Sequence, residues 1–210
     1  MASFPGMGIH NKKELPWPFD ELFNKGVSLY KQGLEGVDAL VLWGGEDISP
    51  SLYKEPRIPS SGPEEPSRRD IMEWEAIREA VAKNILIIGV CRGAQLLCAY
   101  AGGSLIQDVD GHEGEHFIQT YSGDFLKCSS SHHQMMYPFK VKHDMLAWSQ
   151  KRLGTQYKSG VAKPVPEVEP EVVWFPEIKG FAVQCHPEWH TTSHFNEWMF
   201  NELEKRLCKC

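Results

Sequence analysis

The stretch Ile85-Leu86-Ile87-Ile88-Gly89-Val90 carries no polar side chain, and it breaks on Cys91-Arg92-Gly93 before Ala94–Tyr100 continues with helical spacing. An apolar run this short cannot cross a bilayer, and with no polar face to offer water it must be covered on both sides. That describes a buried strand. Asp38-Ala39-Leu40-Val41-Leu42-Trp43 repeats the pattern and stops on Gly44-Gly45. Between the two runs, residues 70–83 show helical periodicity through Ile71, Trp74, Ile77, Ala80 and Val81. Strand, helix, strand, helix is the order of a parallel sheet with helices on both faces. The expected fold class is therefore α/β, a single flavodoxin-like domain over residues 1–210 with a mostly parallel central sheet.

The remaining segments fill in around that unit. Residues 18–32 read as a first helix, with Phe19, Leu22, Phe23, Val27 and Tyr30 near helical spacing. Residues 50–68 contain Pro50, Pro56, Pro59, Pro63 and Pro66 and read as a loop long enough to suggest function. From 107 to 148 the periodicity weakens and short strands are expected. Residues 158–171 read as a loop, 171–175 and 180–184 as paired strands, and 193–207 as an amphipathic terminal helix.

Charge narrows the partners. Twenty-two Lys and Arg against 28 Asp and Glu give a formal net charge of −6, the wrong sign for a nucleic-acid backbone or an anionic membrane. Neither is expected as a partner. The opening Met1-Ala2-Ser3-Phe4-Pro5-Gly6 has neither a basic start nor an apolar core of the kind that directs secretion, so the expected location is cytoplasmic. Cys91, Cys98, Cys128, Cys185, Cys208 and Cys210 are too dispersed for a small disulfide scaffold, and Cys208-Lys209-Cys210 has poor zinc spacing. In a reducing compartment a thiol can serve as a nucleophile.

Cys91 is placed for that role. A cysteine where a buried strand turns sharply into a helix projects from the carboxyl edge of the sheet, and the helix N-terminus favours thiolate. Gly89 and Gly93 permit the close backbone approach such a turn needs. Cys98, seven residues on and inside the expected helix, reads instead as a structural core thiol. A nucleophile needs a base, and His186 in Val183-Gln184-Cys185-His186-Pro187-Glu188 also ends an apolar run, with Glu188 near enough to orient its ring.

Gly89-Val90-Cys91-Arg92-Gly93-Ala94-Gln95 together with His186-Pro187-Glu188 resembles the class I glutamine amidotransferase superfamily. Gly44 to Tyr53, Arg69-Asp70 with Glu73, Gly102 to Asp108, and Ser130-Ser131-His132-His133-Gln134 resemble its gamma-glutamyl hydrolase-like branch, in order over residues 38–190. The resemblance implies a cysteine-dependent hydrolase with a Cys91-His186-Glu188 triad, acting on small gamma-glutamyl compounds or glutamine through a thioester. It implies an oxyanion hole from the backbone N–H groups of Gly45 and Arg92, and glutamate binding by Gln95 and the segment Ser130, Ser131 and His132. No cofactor or metal is implied. The chain departs from the branch in a weak opening strand over 1–11 and in Cys98, Ser129 and Cys185, changes that bear on substrate choice.

His112-Glu113-Gly114-Glu115-His116 matches the H-E-x-x-H of zinc proteases. That motif works only on a regular helix, which Gly111 and Gly114 disfavour, so the segment reads as a loop. His186, His190 and His194 have helical spacing in number alone, because Pro187 intervenes. Three functions follow in order: a free-standing hydrolase, an amidotransferase subunit passing ammonia to a synthetase, and a binding protein without turnover, which the complete triad disfavours.

Overall fold

The two apolar runs lie side by side in one sheet in the computed structural model, which describes residues 2–3, 18–19, 22–23, 26–29, 33–189 and 194–207. In chain order the strands are β1 (Ala2–Ser3), β2 (Val27–Ser28), β3 (Ala39–Leu42), β4 (Leu86–Val90), β5 (Ser104–Ile106), β6 (Asp108–Val109), β7 (Glu113–Thr120), β8 (Phe125–Ser131), β9 (Met135–Tyr137), β10 (Asp144–Ser149), β11 (Tyr157–Lys158), β12 (Pro170–Phe175) and β13 (Gly180–Val183). The described helices are α1 (Arg68–Ala82), α2 (Arg92–Tyr100) and α3 (His194–Leu207).

Nine strands form the main sheet in the order β2-β1-β3-β4-β13-β12-β10-β7-β8. From β2 to β13 every pairing is parallel, and from β13 to β8 every pairing is antiparallel. The expected mostly parallel sheet thus holds for one half. In the other half β7–β8 and β12–β13 are joined by connections too short for a crossover, so these pairs must run antiparallel, and β10 joins them through longer segments.

Apolar alternation assigns the two faces. Leu40, Leu42 and Ile87 face Ala76, Ile77 and Ala80 of α1 and Leu96 and Leu97 of α2. Ala39, Val41, Ile88 and Val90 face Phe195, Met199 and Leu203 of α3. Each fully buried branched side chain contributes about 1.5–3 kcal/mol, so two-sided burial makes β3 and β4 the strongest elements of the core. Helix α1 begins with a reciprocal cap: the Asp70 N–H donates to Ser67 Oγ at 3.0 Å and the Ser67 N–H donates to Asp70 Oδ2 at 2.8 Å.

Two expectations change. Residues 18–32 do not form one helix, since Val27–Ser28 join the sheet beside Ala2–Ser3; Gly26 lowers helix propensity just before them, and the sheet edge supplies partners for the backbone. Parts of that segment, as well as His190, Cys208 and Cys210, lie outside the described residues. The His112 to His116 segment is not a loop, because from Glu113 it runs into β7. Its pairing with β8, from Glu113 opposite Ser131 to Gln119 opposite Phe125, overrides the glycine at 114. The branch's opening strand is present as the two residues of β1.

Candidate active site

Cys91 sits where β4 gives way to α2, with φ 51° and ψ −109°. A non-glycine residue there is strained, and such strain persists only where surrounding structure imposes it. Two glycines impose it. A Cβ on Gly89 would collide with the Gly93 carbonyl, and one on Gly93 would collide with the Leu42 carbonyl. Strand, turn and helix therefore pack backbone against backbone. The Cys91 N–H donates to the Val183 carbonyl at 2.7 Å, tying the turn to β13, while the Arg92 N–H lies in the first helical turn, where amides have no intrahelical partner.

The imidazole arrives from the adjacent parallel strand. After β13, the His186 N–H donates to the Ser129 carbonyl of β8 at 2.8 Å. Its Nδ1 lies 2.7 Å from Glu188 Oε1, and Trp189 stacks on the ring at 4.0 Å with only 3° between the planes. Burial opposes charge on His186, but hydrogen bonds to Cys91 and Glu188 outweigh it and raise the pKa to about 10. Gly44 leaves the space between nucleophile and base, since a Cβ there would lie 3.2 Å from His186 Cε1 and 3.9 Å from Cys91 Sγ.

A buried ionic network fixes the two turns that face this pair. The Arg92 guanidinium, 2% exposed, bridges the fully buried carboxylates of Asp70 and Glu73. Arg69 completes the set: Nε donates to Glu73 at 2.8 Å, Nη1 to the Gly44 carbonyl at 3.1 Å and Nη2 to the Trp43 carbonyl at 2.9 Å. One helix therefore holds both the Gly44-Gly45 turn and the start of α2. Gly45 adopts φ 150°, which favours glycine. Sequence reasoning quoted Arg69, Asp70 and Glu73 only as part of a resemblance. Their spacing on one helical face near a strand-end glycine pair was the available physical signal.

A cleft of about 600 Å³ opens over Cys91, lined by Gly45, Gln95, Ser131 and His132 together with Asp47 and His133. Gln95 Nε2 donates to the Gln134 carbonyl at 2.8 Å. Ser130 is fully buried and lies outside this lining, because successive strand residues point to opposite faces. Sequence reasoning missed Asp47 and His133, whose Oδ2 and Nε2 lie 2.8 Å apart at the rim. Burial raises the Asp47 pKa, and the neighbouring His133 partly offsets this. Cys98 is a core thiol as expected, pushed by burial to about 12. A larger recess of about 780 Å³ lies over α1 beside Leu29, Ile71 and Ala82 and contains no nucleophile.

Beside the site, His112, His132 and Glu171 bring ligand atoms within 4.8 Å of one another, as do His116, Cys128 and Glu171. Neither set uses Glu113, the acid of the H-E-x-x-H string. In β7 that glutamate is exposed, while His112 and His116 lie four residues apart on one strand face. No described helix is long and apolar enough to cross a membrane.

Residues 21–158 match the Peptidase C26 family model. Protein NtpR of Enterococcus hirae is 30% identical over 179 residues, 80% of this chain and 74% of that protein. The gamma-glutamyl-CDP-amidate hydrolase of Campylobacter jejuni is 29% identical over 125 residues, 52% of this chain and 56% of its own length. In fold, a glutamine amidotransferase from Thermotoga maritima superposes over 98% of this chain and 84% of its own, with TM-score 0.59 at 18% identity. With the match extending over more than half its length, the chain belongs to the Peptidase C26 family of class I glutamine amidotransferase-like proteins.

Proposed function

We propose that the chain is a cysteine-dependent hydrolase of gamma-glutamyl amide bonds in small molecules. The observation that carries this reading is the strained Cys91 turn facing an imidazole that is itself held by Glu188 at 2.7 Å. Cys91 Sγ attacks the side-chain carbonyl of the gamma-glutamyl group. The carbonyl π electrons move onto oxygen, where the N–H groups of Arg92 and Gly45 receive the negative charge. Collapse of the tetrahedral species breaks the C–N bond, and His186 delivers its proton to the departing nitrogen. Water, deprotonated by His186, then attacks the thioester; the C–S bond breaks and glutamate leaves. Glu188 keeps the ring oriented and supports its charge throughout. Gln95 and the backbone around Ser130, Ser131 and His132 hold the glutamate portion.

Family membership supports amidohydrolase chemistry in general. A second reading, in which the released nitrogen is ammonia for a synthetase, uses the same residues and is supported by the glutamine amidotransferase fold. A panel of gamma-glutamyl amides and glutamine, scored for glutamate and for the released amine, separates the two. Turnover of substituted amides by the isolated chain is expected. Activity on glutamine alone, stimulated by a synthetase, would favour the second reading, and no thioester trapped on Cys91 with any substrate would overturn both.

A further inference from the structure

Three side chains far apart in sequence meet under the cleft with their polar atoms unspent. His132 Nδ1 lies 2.9 Å from the Gln134 carbonyl and donates to it, which leaves Nε2 as a bare lone pair. That Nε2 is buried without a hydrogen-bond partner. His112 Nε2 lies 3.3 Å from Glu169 Oε1 without a hydrogen bond to it, and its Nδ1, 3.9 Å from Glu171 Oε1, is likewise buried without a hydrogen-bond partner. Glu171 spends Oε1 on His116 Nε2 at 3.0 Å and on Ser149 Oγ at 3.1 Å, and its Oε2 is buried and unpartnered. His112 is 1% exposed, Glu171 0% and His132 8%.

Buried polar atoms without partners cost about 1–3 kcal/mol each, and three of them on residues whose ligand atoms lie within 4.8 Å of one another call for a common partner. A proton donor would satisfy one of them. A divalent cation satisfies all three. We infer that His112 Nδ1, His132 Nε2 and Glu171 Oε2 form a binding site for a divalent transition ion of the zinc type. The chemistry of the donors selects it: two neutral imidazoles and one carboxylate suit zinc and its first-row neighbours, not magnesium or calcium, which take oxygen. His132 also holds its second nitrogen against a carbonyl oxygen, the arrangement that fixes tautomer and ring orientation in zinc sites, and His112 has the Glu169 carboxylate 3.3 Å from its own second nitrogen. Zinc ligation draws such atoms to about 2.0–2.2 Å from the ion, so the cluster contracts modestly on loading, and water takes the fourth position.

The ligands come from the residue just before β7, the residue just after β8 and the start of β12. These strand ends also support the catalytic imidazole of the proposed mechanism, since Ser129 of β8 accepts from the His186 N–H and the Glu171 carbonyl accepts from the Gln184 N–H at 2.8 Å. Loading would brace this half of the site. The inference stands independently of the hydrolase reading, because its test reads metal and not turnover.

The whole chain, stripped with chelator, is titrated with Zn(II) by calorimetry against a competing chelator, and with Co(II) followed by absorption. One equivalent is expected to bind, raising the melting temperature, and Co(II) should give a four-coordinate spectrum without a thiolate charge-transfer band. His112→Asn and Glu171→Gln should weaken Zn(II) by about 100-fold or more, since each deletes a ligand. Cys128→Ser and the remote His143→Asn should bind as the unmodified chain does. Should the first two variants fail to fold, the cobalt spectrum still decides. Absence of stoichiometric binding, undiminished affinity in His112→Asn and Glu171→Gln, or a thiolate band lost in Cys128→Ser would each overturn this donor set.

Discussion

The proposed nucleophile and its proposed base follow adjacent parallel strands, β4 and β13, but the two are held by different parts of the molecule. Cys91 is seated within the parallel half: β4, the packing of Gly93 against Leu42 of β3 and the first turn of α2, with Arg92 locked to Asp70 and Glu73. His186 is seated by partners remote in sequence, Ser129 in β8 and the strand ends around Glu171. The parallel half is dry, two-sided and closed by an ionic clamp. The antiparallel half is a mixed layer of His, Ser, Glu and Cys. Cys91 is therefore fixed by close backbone packing within the parallel half, while His186 depends on contacts with the antiparallel half that substitution can loosen without unfolding the core.

The largest expected effect tests the nucleophile side. Cys91→Ala should abolish turnover while leaving the melting temperature unchanged or slightly higher, because it removes one sulfur and eases the strained turn. Near-normal hydrolysis in that variant would leave the fold assignment standing and remove the thioester mechanism. On the base side, Glu188→Gln keeps size and one acceptor but removes the charge that supports imidazolium. A fall in kcat of about 10²-fold or more is expected, read by steady-state kinetics at fixed pH, and an unchanged kcat would deny Glu188 an orienting role.

The ionic clamp offers a sharper contrast. Glu73→Gln leaves two guanidinium groups sharing one less buried charge, and breaking a buried pair of this kind costs about 3–5 kcal/mol. Urea denaturation should show that loss. In the exposed Lys83–Glu79 pair on the same helix, Glu79→Gln should change stability by less than about 1 kcal/mol. Equal losses at the two sites would mean that the clamp positions the turns without stabilising the fold.

A smaller effect appears with pH. The folded-state pKa of His186 is about 10 against an ordinary 6.5. Its charged form therefore contributes stability that is fully present below about 6.5 and is lost as pH rises through about 10. The melting temperature of the unmodified chain should decline over that window relative to His186→Asn, which lacks the titrating ring. The smallest effect belongs to Trp189, whose ring lies parallel to the imidazole. A cation–π contact is worth about 0.5–1 kcal/mol at an exposed site, so Trp189→Leu should lower the His186 pKa by about 0.4–0.7 units, measurable by NMR titration of the ring. No shift would make the stack a matter of packing alone.

Legibility followed the same division. The strands over 39–42 and 86–90, the turn at Cys91 and the helices over 68–82 and 92–100 could be read directly, because two-sided burial writes continuous apolar runs and a strand-to-helix turn writes glycines. The strands over 113–120 and 125–131 were less legible. One of their faces meets solvent and the other a polar layer, so Glu113-Gly114-Glu115-His116 and Cys128-Ser129-Ser130-Ser131 lack a clean apolar alternation. Val27–Ser28 misled for a related reason, since an edge strand of two residues is defined by its partner and hardly by itself.

Composition and order alone determined that this chain builds a sheet covered on both faces and presents a cysteine at a strand end with a His-Pro-Glu segment after another strand. Only the tertiary structure decided that Arg92 turns inward to Asp70 and Glu73, that half the sheet runs antiparallel, and that His112, His132 and Glu171 converge. The physical reason is range. Periodicity and turn chemistry act over a few residues, whereas a buried charge or an unspent lone pair finds its partner through strand pairings that join positions separated by tens of residues.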